Sequence, residues 1–408
     1  MNYYKNKTMA LNPIEKFFYE YASLNLDEKY ALVSHAMLLN LPDSQKYIDK
    51  LKLAHVDIET LKSNKKFLIE GKFPFVKSKR DFTFIDLFAG IGGFRLAMQS
   101  LGGKCVFSSE IDESAKQTYF FNYGDVPFGD ITDPKIKSLI PNTFDVLCAG
   151  FPCQPFSNAG LKRGIEDTRG TLFYHIADIL KEHQPKAVLL ENVRGLISND
   201  SGKTIRTILK TITSMGYRCN IDEQIIQLGS DAQLKKECSK MVLSAKDYGV
   251  PQNRPRIYIV LWRKDLAVDE FRYPVPTNEN TRLGDILESD VSDEFTISDR
   301  LWAGHQKRKI KNEKKGNGFG YCLFNDTSVY TSTLSRRYYK DGSEILIEQK
   351  GKNPRKLTPR EASRLQGFPN NFILPVSKVK AYQQFGNSVA VPVVKAVSRE
   401  IVKQILKV

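Results

Sequence analysis

The feature that most constrains the fold is a regular alternation of strand-like and helix-like segments that begins at Phe82. The first strand pattern, FTFIDLF, is followed by a glycine turn, AGIGG, and an amphipathic pattern, FRLAMQSLG. The same order recurs in KCVFSSEID with SAKQTYFFNYG, and in KAVLLENV with IRTILKTITSMGY. Such alternation is typical of βαβ units in a parallel sheet. The sequence therefore predicts an α/β, Rossmann-like doubly wound domain.

The charge of the chain indicates a polyanionic partner. Its 408 residues carry a formal net charge of +15, which favours nucleic acid first and a membrane surface second. We expect a cytoplasmic protein without a membrane segment, because the sequence has no apolar run of about 18 residues and no signal-peptide pattern. The six cysteines lack paired spacing and the five histidines form no cluster. Neither a disulfide framework nor a metal site is expected.

Two stretches lie outside the alternating pattern. In residues 1–80, apolar residues recur at three- and four-residue steps, which predicts a helical N-terminal extension. It is either a DNA-contacting helix-turn-helix or a solvated cap. Residues 263–356 have poor periodicity and combine basic, aromatic and glycine residues, as in HQKRKIKNEKKGNGFGY. That mixture favours a smaller, irregular domain with a loop-built nucleic-acid surface.

A cysteine between two prolines is the strongest candidate nucleophile. Cys153 lies in AGFPCQPFS, directly after the apolar run FDVLCAG. A buried parallel strand there would place the thiol at the carboxyl end of the sheet, where ligands bind in α/β folds. The flanking prolines favour a defined loop. The alternative is a buried structural cysteine, which is the interpretation we give to Cys148 on the same strand.

Acidic residues at strand ends suggest a nucleoside pocket. Glu110, at the end of the second strand, can bind both ribose hydroxyls. The turn from Gly90 to Gly93 lacks the GxGxxG spacing for a pyrophosphate, which favours S-adenosylmethionine over NAD. Asp130, at the expected end of a third strand, could accept a hydrogen bond from an adenine amino group. Alternatively, Asp130 caps a helix that begins at Asp133.

Three further charged residues follow apolar strands. Glu191 ends the run KAVLLE, where a functional acid is favoured over a helix cap or a buried ion pair. Arg254 and Arg256 are two residues apart in QNRPRIYIV. On one strand this spacing places both guanidinium groups on the same face, suited to a carboxylate or phosphate. The alternative is an exposed edge strand with ordinary charges.

Together these stretches resemble the DNA cytosine-C5 methyltransferases. The motifs IDLFAGIGGF, SSEID, GDIT, AGFPCQPFS, LLENV, GVPQNRPRIYIV, LTPREASRLQGFP and QFGNSVAVPV occur in the order of that family. The resemblance implies a two-domain clamp on double-stranded DNA. The catalytic domain would span residues 81–262, the target-recognition domain 263–356, and a C-terminal return to the catalytic domain 357–408.

The resemblance also implies catalytic roles. Cys153 would add as a thiolate to C6 of the cytosine, and Glu191 would protonate N3 and hold the exocyclic amine. Arg256 would contact the base O2, whereas Arg254 would support the site and the DNA backbone. Because these base atoms are out of reach within a duplex, the target base would be flipped out.

The loop that follows the cysteine, roughly residues 154–170, would close over the flipped base, with Gln154 and Ser157 as DNA contacts. The cofactor S-adenosylmethionine would be bound by a set of residues from the strand ends and the C-terminal return. These are Phe88, Gly90, Gly92, Glu110, Asp130, Asn387 and Val389.

The recognition region resembles the Dcm and EcoRII-type subgroup through GNGFGY and TLSRRYYKDGSEILI. This implies methylation of the inner cytosine of CCNGG or CCWGG, with CCGG less favoured. Arg336 and Arg337 would read guanine, Tyr338 would also contact DNA, and the lysines between 307 and 315 would contact phosphates.

The predicted role is the protective methylase of a type II restriction–modification pair, a monomer encoded with a cognate endonuclease. The alternative is a sequence-specific DNA-binding regulator that acts through residues 1–80. Methylation of tRNA is disfavoured by the large basic recognition region, and a nicotinamide dehydrogenase by the missing GxGxxG. An insertion between Tyr217 and Lys246 departs from the family pattern, and we assign it no role.

Overall fold

A seven-stranded sheet forms the centre of the molecule. The computed structural model describes residues 73–75, 79–152, 172–277, 279–316 and 320–408. The strands of the sheet are β1 (Phe82–Leu87), β2 (Gly103–Ser109), β3 (Val146–Gly150), β4 (Ala187–Val193), β5 (Tyr217–Arg218), β6 (Val242–Ser244) and β7 (Pro255–Arg263). Their order is β2-β1-β3-β4-β7-β5, with β6 paired to β7. Strands β1 to β4 are parallel, and β7 runs antiparallel to β4.

Helices cover both faces of this sheet. Those within residues 81–262, which we call the catalytic part, are α1 (Gly93–Gln99), α2 (Glu113–Tyr123), α3 (Pro134–Lys137), α4 (Leu172–His183), α5 (Lys203–Thr213), α6 (Glu223–Gln227) and α7 (Asp231–Ser239). Successive residues of β1 point to opposite faces, so Phe84 enters one hydrophobic core and Ile85 the other. Helices α1 and α2 line the first core, and α4 and α5 line the second. The predicted doubly wound α/β class is confirmed.

The insertion that departs from the family pattern is a packed helical unit, formed by α6 and α7. Arg206 on α5 fixes it by donating hydrogen bonds to the carbonyls of Ile226 (2.7 Å) and Gly229 (2.7 Å). Cys238 of α7 is fully buried, and burial raises the pKa of its thiol to about 12. This cysteine therefore has a structural place in the fold.

The region predicted to be built of loops contains a 15-residue helix, α8 (Asp299–Glu313), capped by Ser298. The prediction was wrong here because α8 buries only His305 and has no apolar stripe for the sequence to display. The other elements are short: β8 (Leu323–Phe324), α9 (Tyr338–Asp341) and β9 (Leu346–Ile347). Most of the recognition region is irregular, as the composition indicated.

Three helices complete the chain: α10 (Pro359–Leu365), α11 (Lys378–Asn387) and α12 (Val391–Ile401). Thr358 and Glu361 form a capping box at the start of α10. The Gly386–Asn387 pair ends α11, and α12 begins after Ala390. Helix α12 packs against α1.

The predicted N-terminal extension lies almost wholly outside the described residues. Phe75, one of the few described positions there, donates its main-chain N–H to the carbonyl of Asn122 on α2 (3.0 Å). No helix in the described ranges is long and apolar enough to cross a membrane.

Candidate active site

The strand register brings the predicted catalytic residues of β4 and β7 to one edge of the sheet. Gly150, the last residue of β3, lies beside Glu191 of β4. Because β7 runs in the opposite direction, its first residues meet the last residues of β4, and Val193 pairs with Arg256. A charged pair at the carboxyl edge of the parallel strands results.

Glu191 is a buried acid with a cationic partner. Its side chain lies 3.2 Å from Arg256, measured from Oε1 to Nε, and only 9% of the residue is exposed. A Cβ built on Gly150 would lie 3.6 Å from Oε2, so the carboxyl group lies beside the end of β3. Burial raises the pKa of Glu191, against the lowering effect of the Arg256 and Arg254 charges. The carboxyl group therefore keeps its proton to higher pH than an exposed glutamate.

Arg254 is more deeply buried than a residue of an exposed edge strand would be. It precedes β7 and is 3% exposed. Its Nη1 donates to the carbonyl of Leu334 (2.9 Å), and Nη2 donates to those of Gly386 (3.0 Å) and Ser388 (2.7 Å). Burial lowers the pKa of Arg254 to about 9, and the charge of Arg256 acts in the same direction. The expected contact of Arg254 with the DNA backbone was wrong, since this side chain is enclosed by protein carbonyls.

Cys153, Gln154 and Ser157 lie outside the described residues, which reach Pro152 and resume at Leu172. The chain leading to the cysteine is fixed by Asn192, whose Nδ2 donates to the carbonyl of Phe151 (2.9 Å).

Sequence reasoning quoted Asn192 within LLENV but gave it no role. Its position directly after the acid near the end of β4 could have indicated a role. The chain that leaves the neighbouring strand at this edge has main-chain carbonyls that need hydrogen-bond donors, and an amide side chain can supply one. Cys148 is fully buried, and burial raises the pKa of its thiol well above the usual range, as a structural cysteine requires.

Glu110 ties the glycine turn to the end of β2. Its Oε2 accepts the N–H of Gly90 (2.8 Å), and its Oε1 accepts those of Ile111 and Asp112 (both 2.8 Å). The carboxylate is thereby fixed beside the turn that follows β1. Sequence reasoning predicted that Glu110 and Gly90 share a site, and their direct contact brings them together.

The turn after β1 has an unusual backbone. Phe88 has a φ of 56°, a left-handed conformation that costs free energy in a residue with a side chain. Gly90 and Gly92 have φ values of 55° and 83°. A Cβ at Gly92 would collide with the ring of Tyr123, whereas a Cβ at Gly90 would meet nothing within 4 Å. The turn therefore leaves open space over Gly90.

The remaining predicted cofactor residues differ in exposure. Asp130 is exposed, and its Oδ1 accepts the N–H of Thr132 (2.9 Å). It does not end a third strand, because Phe128 makes only an isolated bridge to Ser109. Nor does it cap α3, since the capping side chain is Asp133.

In the C-terminal return, Asn387 is exposed and Val389 is buried. A Cβ on Gly93 would lie 2.7 Å from Cγ2 of Val389, and one on Gly150 would lie 4.0 Å from Cγ1. The end of α11 therefore closes over both the glycine turn and the end of β3.

A buried carboxylate that sequence reasoning missed lies on β1. Asp86 is fully buried, and among the described residues its oxygens have no hydrogen-bond partner of good geometry, although the main-chain N–H of Arg95 lies near enough to lower its pKa. Burial raises its pKa well above the usual range, while the charge of Arg95 opposes this. An acid inside the otherwise apolar strand FTFIDL was the available signal.

The recognition region presents Arg336 and Arg337 to solvent, but not Tyr338. Tyr338 is fully buried; its hydroxyl donates to the carbonyl of Ile345 (2.8 Å) and accepts the N–H of Leu357 (2.7 Å). The prediction that Tyr338 contacts DNA was wrong, because its phenol completes the core of this region. Within the described ranges, no group of three His, Cys, Asp or Glu side chains could hold a metal ion.

Comparison with known proteins identifies what this arrangement resembles. Residues 82–403 match the model of the C-5 cytosine-specific DNA methylases. The chain is 54% identical over 329 residues to the type II methyltransferase M1.ScrFI of Lactococcus lactis subsp. cremoris, covering 80% of this chain and 79% of that protein. It is 53% identical over 324 residues to M.SsoII of Shigella sonnei, covering 79% and 80% respectively. The crystal structure of S. pombe Dnmt2 methyltransferase shares the fold, with a TM-score of 0.61 at 19% identity, over 79% of this chain and 98% of that one.

Proposed function

This chain belongs to the C-5 cytosine-specific DNA methylases and is a DNA cytosine-5-methyltransferase, and we propose how its own residues carry out the reaction and choose the site. The observation that carries the mechanism is the buried Glu191–Arg256 pair beside the end of β3, three residues before Cys153. A carboxylic acid and a guanidinium group at that place can stabilise the cytosine ring when it gains electron density from a nucleophile.

The reaction needs a nucleophile because C5 of cytosine is too weakly nucleophilic to attack a methyl group unaided. The thiolate of Cys153 forms a bond to C6, and N3 takes the proton of Glu191, which leaves an enamine. S-Adenosylmethionine would supply the electrophilic methyl carbon for C5, with its thioether as the leaving group. Loss of the C5 proton to a base expels the thiolate, and N3 returns its proton to Glu191, which restores both the neutral ring and the acid.

Each described residue has one task in this scheme. Glu191 holds a proton for N3, which its raised pKa favours. Arg256 orients Glu191 and binds the base O2. Asn192 fixes the carbonyl of Phe151 and thereby the path of the chain into the cysteine loop. These side chains reach the target cytosine only after it is flipped out of the duplex. The loop of residues 154–170 would close over the flipped base.

S-Adenosylmethionine supplies a methyl group on a cationic sulfur. We assign its binding to the glycine turn, Glu110, Asp130, Asn387 and Val389. Two observations fit such a ligand: the open space over Gly90, and the buried acid Asp86 on the strand that leads into the turn. A ligand with positive charge would offset the cost of burying that carboxylate.

For the DNA site we propose the inner cytosine of CCNGG or CCWGG, read in part by the exposed Arg336 and Arg337. The biological role would be protection against a cognate endonuclease. The exposed lysines of α8 and the turn that follows it fit contacts with phosphates.

Bisulfite sequencing of plasmid DNA from cells that express the chain tests this proposal. We expect modified cytosines in one context, the inner cytosine of CCNGG or CCWGG. Marks at CCGG would contradict the proposed site but keep the reaction. The Cys153→Ala variant should give no marks while it still retards a cognate duplex in a gel. Persistent methylation by that variant would refute the covalent mechanism.

A further inference from the structure

The segment that carries Arg336 and Arg337 is attached to the catalytic part through its main chain. We call residues 331–337 the reading segment. The N–H of Thr331 donates to the carbonyl of Pro251 (2.9 Å), and the N–H of Asn253 donates to the carbonyl of Thr331 (2.8 Å). Thr331 and Gln252 form a parallel bridge. The start of the reading segment therefore continues the backbone pairing of the catalytic part.

A buried amide makes the next connection. Gln252 is fully buried, and its Oε1 accepts the N–H of Leu334 (2.9 Å). Its Nε2 donates to the carbonyl of Leu365 at the end of α10 (2.8 Å). One side chain thus joins the reading segment to the C-terminal return.

Arg254 makes the third connection from the same stretch. Its guanidinium group binds the carbonyl of Leu334 on one side and the carbonyls of Gly386 and Ser388 on the other. Gly386 lies in the last turn of α11 and Ser388 is its C-cap, so these two carbonyls flank the proposed cofactor residue Asn387. The reading segment and the wall of the cofactor pocket are therefore held by one buried cation.

Gly386 explains how closely the two parts approach. It lies inside α11, where glycine is otherwise unfavourable, and its φ is not positive. A Cβ there would collide with the main chain of Ser335 and Arg336. Because backbone atoms cannot rotate away as a flexible side chain can, any larger residue would displace the segment itself.

We infer that Gly386 is a positioning residue for DNA site choice: the backbone of Ser335 and Arg336 rests directly on α11, so this helix sets the direction of the two reading arginines. This inference deepens the proposed function and depends on it. The accuracy of DNA site choice would then depend on a contact that does not itself touch DNA.

The test compares Gly386→Ala with Gly304→Ala in the full chain. Gly304 lies on α8 in the recognition region, and a Cβ there meets nothing within 4 Å. Each purified protein methylates the same plasmid, and bisulfite sequencing gives rates at the preferred context and at contexts that differ by one base pair. For Gly386→Ala we expect the ratio of these rates to fall about tenfold, comparable to losing discrimination at one base pair. The KM for S-adenosylmethionine should change little, and Gly304→Ala should keep the parent ratio.

Ser335→Ala provides a second variant that is expected to fold, because Ser335 is only half-buried. Its hydroxyl donates to Oε1 of Glu344 (2.6 Å) and accepts the N–H of Arg337 (3.1 Å). Removing it loosens the reading segment from the other side, so site choice should broaden here also, by a few-fold.

Several results would overturn the inference. An unchanged ratio with a raised KM for S-adenosylmethionine in Gly386→Ala would make Gly386 a cofactor-pocket residue. An equal loss of rate at all contexts with a lowered melting temperature would make it purely structural. If Gly386→Ala is insoluble, an unchanged ratio in Ser335→Ala refutes the inference. Absence of cytosine methylation by the parent chain would instead refute the proposed function, and this inference with it.

Discussion

The catalytic edge of the sheet and the reading segment both hold cationic side chains in place, but by different means. At the edge, strand register sets Glu191 and Arg256 side by side. In the reading segment, which forms no regular strand, buried side chains of other elements hold the backbone. Register places a side chain through the regular hydrogen-bond ladder between two paired strands, whereas the segment depends on individual buried side chains of other elements.

This difference has a consequence for what each region tolerates. Substitutions at the edge should act on the rate of the reaction at every DNA site, because the chemistry is the same whichever bases flank the cytosine. Substitutions in or under the reading segment should act on the choice of site. Arg254 connects the two regions, because it binds the carbonyl of Leu334 and its charge lies close enough to Glu191 to affect the pKa of that residue.

The largest effect is expected for Glu191→Gln, which keeps the shape of the side chain but removes the proton for N3. The methylation rate should fall by about 10²- to 10⁴-fold at all contexts, with the site preference unchanged. Since burial raises the pKa of Glu191, the parent rate should also fall as pH rises through that pKa and the acid loses its proton. Single-turnover rates across pH measure both.

In the Gln variant this alkaline limb should be absent. A Gln variant with altered site preference would show that the catalytic edge also takes part in reading, which would break the division between the two regions.

A smaller effect, confined to site choice, is expected for Arg337→Ala. Loss of a bidentate contact to guanine should cost about 1–3 kcal/mol of discrimination at one base pair. Lys340→Ala is the matched control, since Lys340 is an exposed cation three residues further on. It should weaken DNA binding evenly across sequences. Competition binding with duplexes that differ by one base pair measures both, and equal behaviour of the two variants would contradict a reading role for Arg337.

The sheet and the edge were predictable because their signals are local. Apolar runs with a period of two or 3.6 fixed the strands and helices, and an acid at the end of an apolar run indicated Glu191. The side chains that position the reading segment were not predictable in this way. Gln252 and Arg254 bind carbonyls and N–H groups some 80 to 130 positions away along the chain, and Gly386 is defined by a backbone that approaches from the recognition region.

Helix α8 and Tyr338 were predicted wrongly for the same reason, because their local sequence does not show which surfaces are exposed and which pack inside the protein. Helix α8 is exposed over most of its surface, so no apolar stripe marked it as a helix. Tyr338 follows two exposed arginines in SRRYY, and an aromatic in a basic stretch reads as a nucleic-acid contact when its surroundings are unknown. Only the packing of Ile345, Leu357 and Tyr382 around it reveals its place in the core.

Tyr338→Phe should give the smallest functional effect and a clear loss of stability. The change removes the hydroxyl that pairs with Ile345 and Leu357, and each unpaired buried group costs about 1–3 kcal/mol. We expect the free energy of unfolding to fall by about 2 kcal/mol, with DNA affinity and site choice unchanged. Denaturant unfolding and binding assays check the two parts, with Tyr339→Phe as control because Tyr339 is only half-buried. A loss of DNA affinity without a loss of stability would return Tyr338 to the DNA surface and would mean that α9 moves far from this conformation when DNA binds.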